Sequence, residues 1–567
     1  MSSDFGALQL ALSALYANRR GLDTVGHNIS NANTEGYSRQ RVDFVANSGP
    51  KVPATFSIWD GGGAGVSVTD VSRTRDVFLE MRSYLEHGTS ASMKQTQSAL
   101  ASIEQLFNEP SDNGIQKQLA DFWAGWDDVA NVPNDAGARS QLLQRAGTIA
   151  TTFNTASTNL DKLKNEALST LNADVQTVNS LAAGIAKLNE QIQGANVAGL
   201  SHNDLLDQRD LLVSKLSDLL NVSTRQGPNE TIDVLVNGTA LVSNDKTSPL
   251  VLDTTGTNAV IRWQKDGYQA SVSSGAMGGR LSTVNDVIPR YLAGLDAIAT
   301  NLVSTVNGVH AAIGGTIATG SQDLSAAGTL SFGLTLNGTS YGTVSITGAD
   351  WSGAGGAAAL QGALQSAVDA ATGSSGAVVV TVTGGNGSAL HVALAGAQAS
   401  DAVRVATVGT NAGVSTLLGD TALGLDGVGG RQFFTGTSAL TLAVSTDVVG
   451  NANAIGAGRA GAGANDNHVA LGLAGTGDIR TGPDQAYRAY IVGLGVEAQN
   501  TNQRVSMQDA TTRSVDSARQ SQAGVNLDEE MINMTSFQQA YSASARYMTA
   551  IDEMLDALVN RTGLVGR

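Results

Sequence analysis

The chain contains no cysteine. That excludes disulfides, thiolate nucleophiles and Cys-ligated metals, and it suits a protein that travels unfolded and must not cross-link on the way. Aromatic residues are scarce at 5%, so one dense aromatic core for the whole chain is not expected. Positive charge is also short. Lys and Arg number 34 against 50 Asp and Glu, for a net charge of −16. With no basic run and no aromatic–basic interleaving, nucleic-acid binding is not expected. No window holds 18 consecutive apolar residues, so no membrane insertion is expected. The opening "MSSDFGALQLALSALYANRR" places its arginines after the apolar part, so no cleavable signal peptide is expected either.

Catalytic patterns are missing as well. The six histidines, His27, His87, His202, His310, His391 and His468, are scattered and form no metal-ligand spacing, so each reads as a surface or satisfied core histidine. Gly456-Ala-Gly458-Arg-Ala-Gly461 fits G-x-G-x-x-G, but no strong strand feeds it and no clear helix follows, so it reads as loop. Asp528, Glu529 and Glu530 are adjacent on a helix and point apart; they read as a helix start. No catalytic residue, cofactor or metal site is expected, and the chain reads as a non-enzyme.

What is present is helical periodicity. Phe5, Leu8, Leu12, Leu15, Leu22 and Ile29 step by three and four, a heptad seam. At the other end Leu527, Met534, Phe537, Tyr541, Met548, Ile551, Leu555 and Leu558 step likewise, with Glu530 and Ser544 in the two missing seam positions. Asn526 is placed as N-cap, and the helix is expected to end near Asn560 with Gly563 beyond it. Two such seams can pair with each other or with neighbouring subunits, because either one is wasted in water. Between them the pattern predicts helices over 76–107, 115–129, 138–193, 204–220, 277–313 and 485–520. A hairpin over 231–242 turns at Asn237-Gly238.

From about residue 314 to 431 the composition shifts to Gly, Ala, Ser and Thr. A hairpin over 330–346, a helix over 357–371 and a hairpin turning at 384–387 make an α+β module. The fold class is therefore mainly α with a β-rich insert. The layout is nested: a terminal coiled-coil domain with connecting strand and loop (1–75 and 522–567), a long-helix core with a small β-hairpin (76–312 and 436–521), and an outer insert (313–435).

One stretch carries a resemblance. "NISNANTEGYSRQ" (28–40) resembles the N-terminal signature of the bacterial flagellar rod, hook and hook-associated proteins, through Asn28, Ser30, Asn31, Asn33, Thr34, Gly36 and Tyr37. The C-terminal stretch 525–560 resembles the same family's last helix. "NDLLDQRDLLVSKLSDLLNV" (203–222), "GGGAGVSVTDVSRTRDVFL" (61–79) and "NDNHVALGLA" (465–474) are similar to hook-associated members. The resemblance covers about 1–310 and 436–567, and leaves the insert aside.

It implies a structural protein of the bacterial flagellum that joins hook to filament and is required for flagellum assembly and motility. The terminal helices would line an axial channel and self-associate in a ring or tubular layer. The hook protein would lie on one side and a further hook-associated protein on the filament side. It also implies an extracellular location reached by the flagellar type III apparatus, and a cytoplasmic export chaperone that holds the C-terminal helix. Two rivals are a hook or filament subunit, and a secreted enzyme or adhesin with its activity in the insert. The long middle helices speak against the first. The insert's lone His391 and scattered Asp speak against the second.

Overall fold

The structure, a computed structural model, describes residues 2–47, 65–317, 329–347, 356–385, 388–398, 401–407, 418, 420–460 and 462–557. Leu558, the helix end near Asn560 with Gly563, residues 386–387 of the third hairpin turn and the side chain of Phe5 lie outside the described residues.

In chain order, helix α1 (Ser2–Ser30) leads to strands β1 (Gln40–Ala46) and β2 (Val66–Arg73). Helices α2 (Val77–Phe107), α3 (Ile115–Asn131), α4 (Ala136–Val197) and α5 (Asn203–Leu219) follow. Short strands β3 (Val222–Gln226), β4 (Ile232–Val236), β5 (Thr239–Ser243), β6 (Lys246–Thr247), β7 (Leu250–Asp253) and β8 (Val260–Trp263) precede α6 (Gly275–Ser282) and α7 (Ile288–His310). The insert holds β9 (Gly314–Ile317), β10 (Thr329–Leu336), β11 (Thr339–Thr347), α8 (Gly356–Thr372), β12 (Val378–Gly385), β13 (Ser388–Gly396) and β14 (Val403–Thr407). Two-residue strands β15 (Ala422–Leu423), β16 (Val428–Gly429), β17 (Phe434–Thr435), β18 (Ala443–Val444) and β19 (Gly458–Arg459) come next. Helices α9 (His468–Ala474), α10 (Pro483–Ala523) and α11 (Leu527–Asp556) close the chain.

The chain forms two compact units, one of residues 1–98, 167–285 and 500–567, the other of 99–166 and 286–499. In the first, α4 and α5 bury Leu171, Val175, Val178, Val213 and Leu216 against Val234 and Leu241 of the small sheet. That sheet has the order β3-β4-β5-β6. Its β4–β5 turn places Asn237 and Gly238 at φ 46° and 84°, the left-handed pair that Asn-Gly supplies at low cost. Helix α2 starts where Asp76 accepts from the backbone N–H of Phe78 (2.8 Å).

In the second unit, α3 buries Ile115, Leu119, Phe122, Trp126 and Val129, a helical stripe. Phe433 and Phe434 pack on it, with ring centroids 5.8 and 5.4 Å from Phe122. Phe122, Trp126, Phe433 and Phe434 thus form one aromatic cluster. His310 lies among them, its ring 5.4 Å from Phe433. Its Nδ1–H donates to the Arg431 carbonyl (2.7 Å), and its Nε2 accepts from the Gly456 N–H (2.8 Å). It is the satisfied core histidine that the sequence suggested.

The insert belongs to this second unit but has its own apolar core. Leu360, Leu364 and Val368 of α8 pack with Phe332, Leu334, Val380 and Val392. The two predicted hairpins are present, but in different sheets, β11-β10-β14-β16-β15-β19 and β12-β13-β9. The added strands β9, β14, β15, β16 and β19 are too short or too glycine-rich to announce themselves by alternation. Within the predicted 277–313 helix, a π-turn at 283–287 separates α6 from α7.

Candidate functional site

Helix α1 ends by turning its own polar side chains back on its last carbonyls. Ser30 Oγ donates to the Gly26 carbonyl (2.8 Å) and Asn31 Nδ2 to that of His27 (3.1 Å). These are the acceptors that a helix end leaves open. The turn continues through the Thr34 and Tyr37 amides, bonded to the Asn31 and Thr34 carbonyls (2.9 and 3.2 Å). Thr34 Oγ1 also donates to Asn31 Oδ1 (3.1 Å). Gly36 has φ +81° and faces Leu211, which a Cβ would meet at 3.0 Å. A side chain there is strained and crowded at once. Asn33 stays exposed at the tip.

Asn28 is the centre of the joint. It is 1% exposed, and every hydrogen-bonding site of its amide is used. Oδ1 accepts from the Gln40 N–H (2.9 Å) and the Tyr37 hydroxyl (2.7 Å). Nδ2 donates to the Gln40 carbonyl (2.9 Å) and to Glu530 Oε2 (2.9 Å). One side chain thus ties the end of α1, the turn, strand β1 and the start of α11. Tyr37 joins the network through its hydroxyl. Its oxygen also lies 3.0 Å from His27 Nδ1. Burial and the carboxylates of Asp207, Asp204 and Glu530 push its ionisation well above the usual tyrosine range, so the hydroxyl keeps its proton.

Glu530 is 1% exposed and accepts from Arg39 Nε (2.8 Å) as well as from Asn28. It is more than part of a helix start, the role read from sequence for its acidic triplet. Asn526 caps α11 through the Asp528 and Glu529 amides, as expected. Arg39 also reaches Glu529 (2.9 Å), and its amide donates to the Ala523 carbonyl (2.9 Å).

The turn is anchored to α5 too. The Ser38 N–H donates to Asp207 Oδ2 (3.1 Å), and Arg73 bridges Asp207 and Asp210 (2.9 and 2.8 Å). Arg75 and Arg209 also pair with Asp210. Burial alone would raise the Asp210 carboxyl. The arginines outweigh it, Arg75 first, and hold it below the usual carboxylate range. For Asp207, burial outweighs the help of Arg73 and Ser38, and the carboxyl is raised.

Beyond the joint, α1 and α11 pack antiparallel. Glu530 meets Asn28, Phe537 lies over Gly21 and Ser544 meets Asn18. A Cβ on Gly21 would stand 2.7 Å from the Phe537 ring, so the ring uses the missing side chain as its socket. The buried face of α1 is Ala11, Ala17, Gly21, Thr24, Val25 and Asn28. The leucine seam flanks it: Leu8, Leu15, Leu22 and Ile29 are half-buried and Leu12 is exposed. On α11, Ile551 is buried, Met534, Phe537, Met548 and Leu555 are half-buried, and Leu527 and Tyr541 are exposed. Close packing of two helices puts the smallest residues innermost, and heptad spacing of large residues does not report that face.

Sequence reasoning grouped Asn28, Gly36 and Tyr37, and the structure brings them together. It missed Arg39, Gln40, Glu530, Arg73, Arg75, Asp207 and Asp210. Two signals were available: a carboxylate at a seam position, and the charges inside "DLLDQRDLL" on an otherwise apolar helix.

Comparison with known proteins starts from this joint. A family model described as flagella basal body rod protein matches residues 8–37, and one described as flagellar basal body rod FlgEFG protein C-terminal matches 517–561. The two matches hold the two sides of the joint. The model of the flagellar hook-associated protein FlgK helical domain matches 100–322. Flagellar hook-associated protein 1 of Bacillus subtilis (strain 168) is 30% identical over 100% of both chains. The chain belongs to the flagellar hook-associated protein 1 family. The Escherichia coli (strain K12) member is 26% identical over 97% of this chain and 98% of its own. A solved structure of the flagellar hook junction protein FlgK from Burkholderia pseudomallei covers 78% of this chain at 18% identity, with a TM-score of 0.48, too loose a likeness to carry weight. Family membership makes the chain a structural component of the flagellum, associated with the hook.

Proposed function

We propose that the chain forms the hook–filament junction, self-associating through its terminal helices into a tubular layer between hook and filament. The supporting observation is the Asn28–Glu530 joint. It fixes α1 and α11 as one antiparallel pair at a set exit angle, which a repeating layer requires of every copy. The half-buried and exposed seam residues Leu8, Leu12, Leu15, Leu22, Ile29, Leu527 and Tyr541 are the apolar surface that neighbouring copies would cover. The three-part layout with an outer insert at 313–435 is part of this reading, supported by the separate insert core.

Under the same reading the hook protein and a further hook-associated protein flank the layer. Export runs through the flagellar type III apparatus, and a cytoplasmic chaperone covers the α11 seam beforehand. The role is architectural, not enzymatic. Among the described residues no helix is long and apolar enough to cross a membrane, and no His/Asp/Glu group could hold a metal ion. Gene deletion tests the proposal. The expected result is filament protein shed into the medium with hooks still on the cells. Filaments that remain attached to hooks without this chain would sink it.

A further inference from the structure

A second pair of unpartnered faces lies in the first unit. On α2, Val77, Phe78, Met81 and Leu85 are exposed at helical spacing, and Phe78 and Leu85 are each about two-thirds open. Beside this ridge a groove runs between α2 and α10. At one end it is lined by Leu79, Arg82, Ala510, Ser514, Val515 and Ala518. A second depression between the same helices is lined by Thr89, Ser92, Thr96, Thr501 and Arg504. Residues 79 to 96 of α2 span roughly 25 Å, room for several turns of another helix. The α10 wall is small (Ala510, Ser514, Ala518, four apart), which lets a helix approach closely.

Two arginines line this face. Arg82 is half exposed, and its partner is Glu86 of the same helix at 3.7 Å. Arg504 makes no ion pair among the described residues. The opposite character is found on the outer side of α11. Leu527, Met531 and Ile532 are exposed there, and Met531, Ile532, Thr535 and Gln539 border a shallow depression. Asp528 and Glu529 flank this stripe, with Arg39 as the cation that meets one of them.

We propose that the α2–α10 face of one subunit seats the acidic outer face of α11 from a second copy of this chain. The inference rests on the self-association reading above and adds to it which two surfaces meet. Charge complementarity selects the occupant. The arginine-bearing face would repel a copy of itself, whereas the α11 stripe offers apolar side chains and carboxylates together. Because the two faces differ, the contact is heterologous, and a joined pair keeps one free face of each kind. Such a contact repeats from copy to copy and closes into a ring or helix.

The absence of cysteine gives a clean test. Chains carrying Phe78→Cys and Ile532→Cys together are expressed in cells lacking the native chain, and flagella are isolated and mildly oxidised. The expected result is a ladder of cross-linked multimers from the double variant and monomers alone from either single variant. Arg82→Glu in the double variant is expected to lose the ladder, and adding Asp528→Lys to restore it. Chain retained on the hooks without a ladder, or dimers from Phe78→Cys alone, would overturn this contact and leave the junction reading standing. Absence of the unsubstituted chain from isolated hooks would overturn the junction reading and this contact with it.

Discussion

The terminal joint and the aromatic core of the second unit are both deeply buried, yet they are built from opposite materials. The core gathers Phe122, Trp126, Phe433 and Phe434 with almost no charge among them. The joint gathers Asn28, Arg39, Glu530, Arg73, Asp207 and Asp210. Apolar packing yields stability but tolerates small shifts of position. A saturated amide and a buried ion pair have narrow geometric demands, so they fix register and angle at some cost in stability. A chain that must present its two ends identically in every copy has use for the second kind of contact at those ends. Elsewhere the first kind is enough.

The largest expected effect breaks the core side of this comparison. Phe122→Ala removes a fully buried ring that packs with four others, Trp123, Trp126, Phe433 and Phe434, and should destabilise the second unit by about 3–5 kcal/mol. Hydrogen exchange should rise across α3 and leave the amides of α5 little changed. Equal loosening of both units would mean that they are not separately stabilised.

Next comes acid. Burial pushes the His310 imidazole down to about 4, so the folded chain holds it neutral while the unfolded chain takes up a proton near 6.5. Stability of the second unit should therefore fall as pH drops from about 6.5 to about 4, by about 3 kcal/mol, and level off below. His310→Gln keeps one donor and one acceptor and should flatten that slope in denaturant titrations across pH.

At the joint, Asn28→Ala leaves the Gln40 amide and carbonyl, the Tyr37 hydroxyl and one Glu530 oxygen without their partner. The cost should be about 2–3 kcal/mol, seen as faster exchange at the start of α11. If instead only the α1 end loosens, the joint does not couple the two termini.

The smallest effect runs opposite to that of His310. His87 of α2 lies between Asp218 of α5 (3.2 Å) and Asp516 of α10 (3.0 Å), and Ser83 also donates to Asp516 (3.3 Å). Both nitrogens face carboxylates, Asp218 with the larger influence, and the imidazole is raised above its ordinary value. Its tie is present below about 6.5 and is lost as pH rises through the raised value. The first unit should loosen slightly on the alkaline side, and His87→Gln should remove that pH dependence.

Much of this molecule was legible locally. The helices read over 115–129 and 204–220, the hairpin at Asn237-Gly238 and the Asn526 cap each follow from residues within a few positions of one another, where propensity and capping act. The signature asparagines were marked by the family resemblance. Illegible were the partners that complete it. Asn28 meets Glu530 across 502 positions, and nothing local to either residue specifies the other. The innermost positions of α1 were hidden in the same way: they went to Ala17 and Gly21, which no pattern of large residues announces, because the Phe537 ring needed a socket.

The sequence by itself determined the family, the helical frame and the places where helices stop, because those depend on composition and on neighbours along the chain. Only the tertiary structure decided that Glu530 is a buried partner, that three arginines gather on Asp210, and that Phe122 and Trp126 meet Phe433 and Phe434 from far along the chain. Such pairings are chosen by what remains to be satisfied once water is excluded, and that demand exists only after distant segments have met.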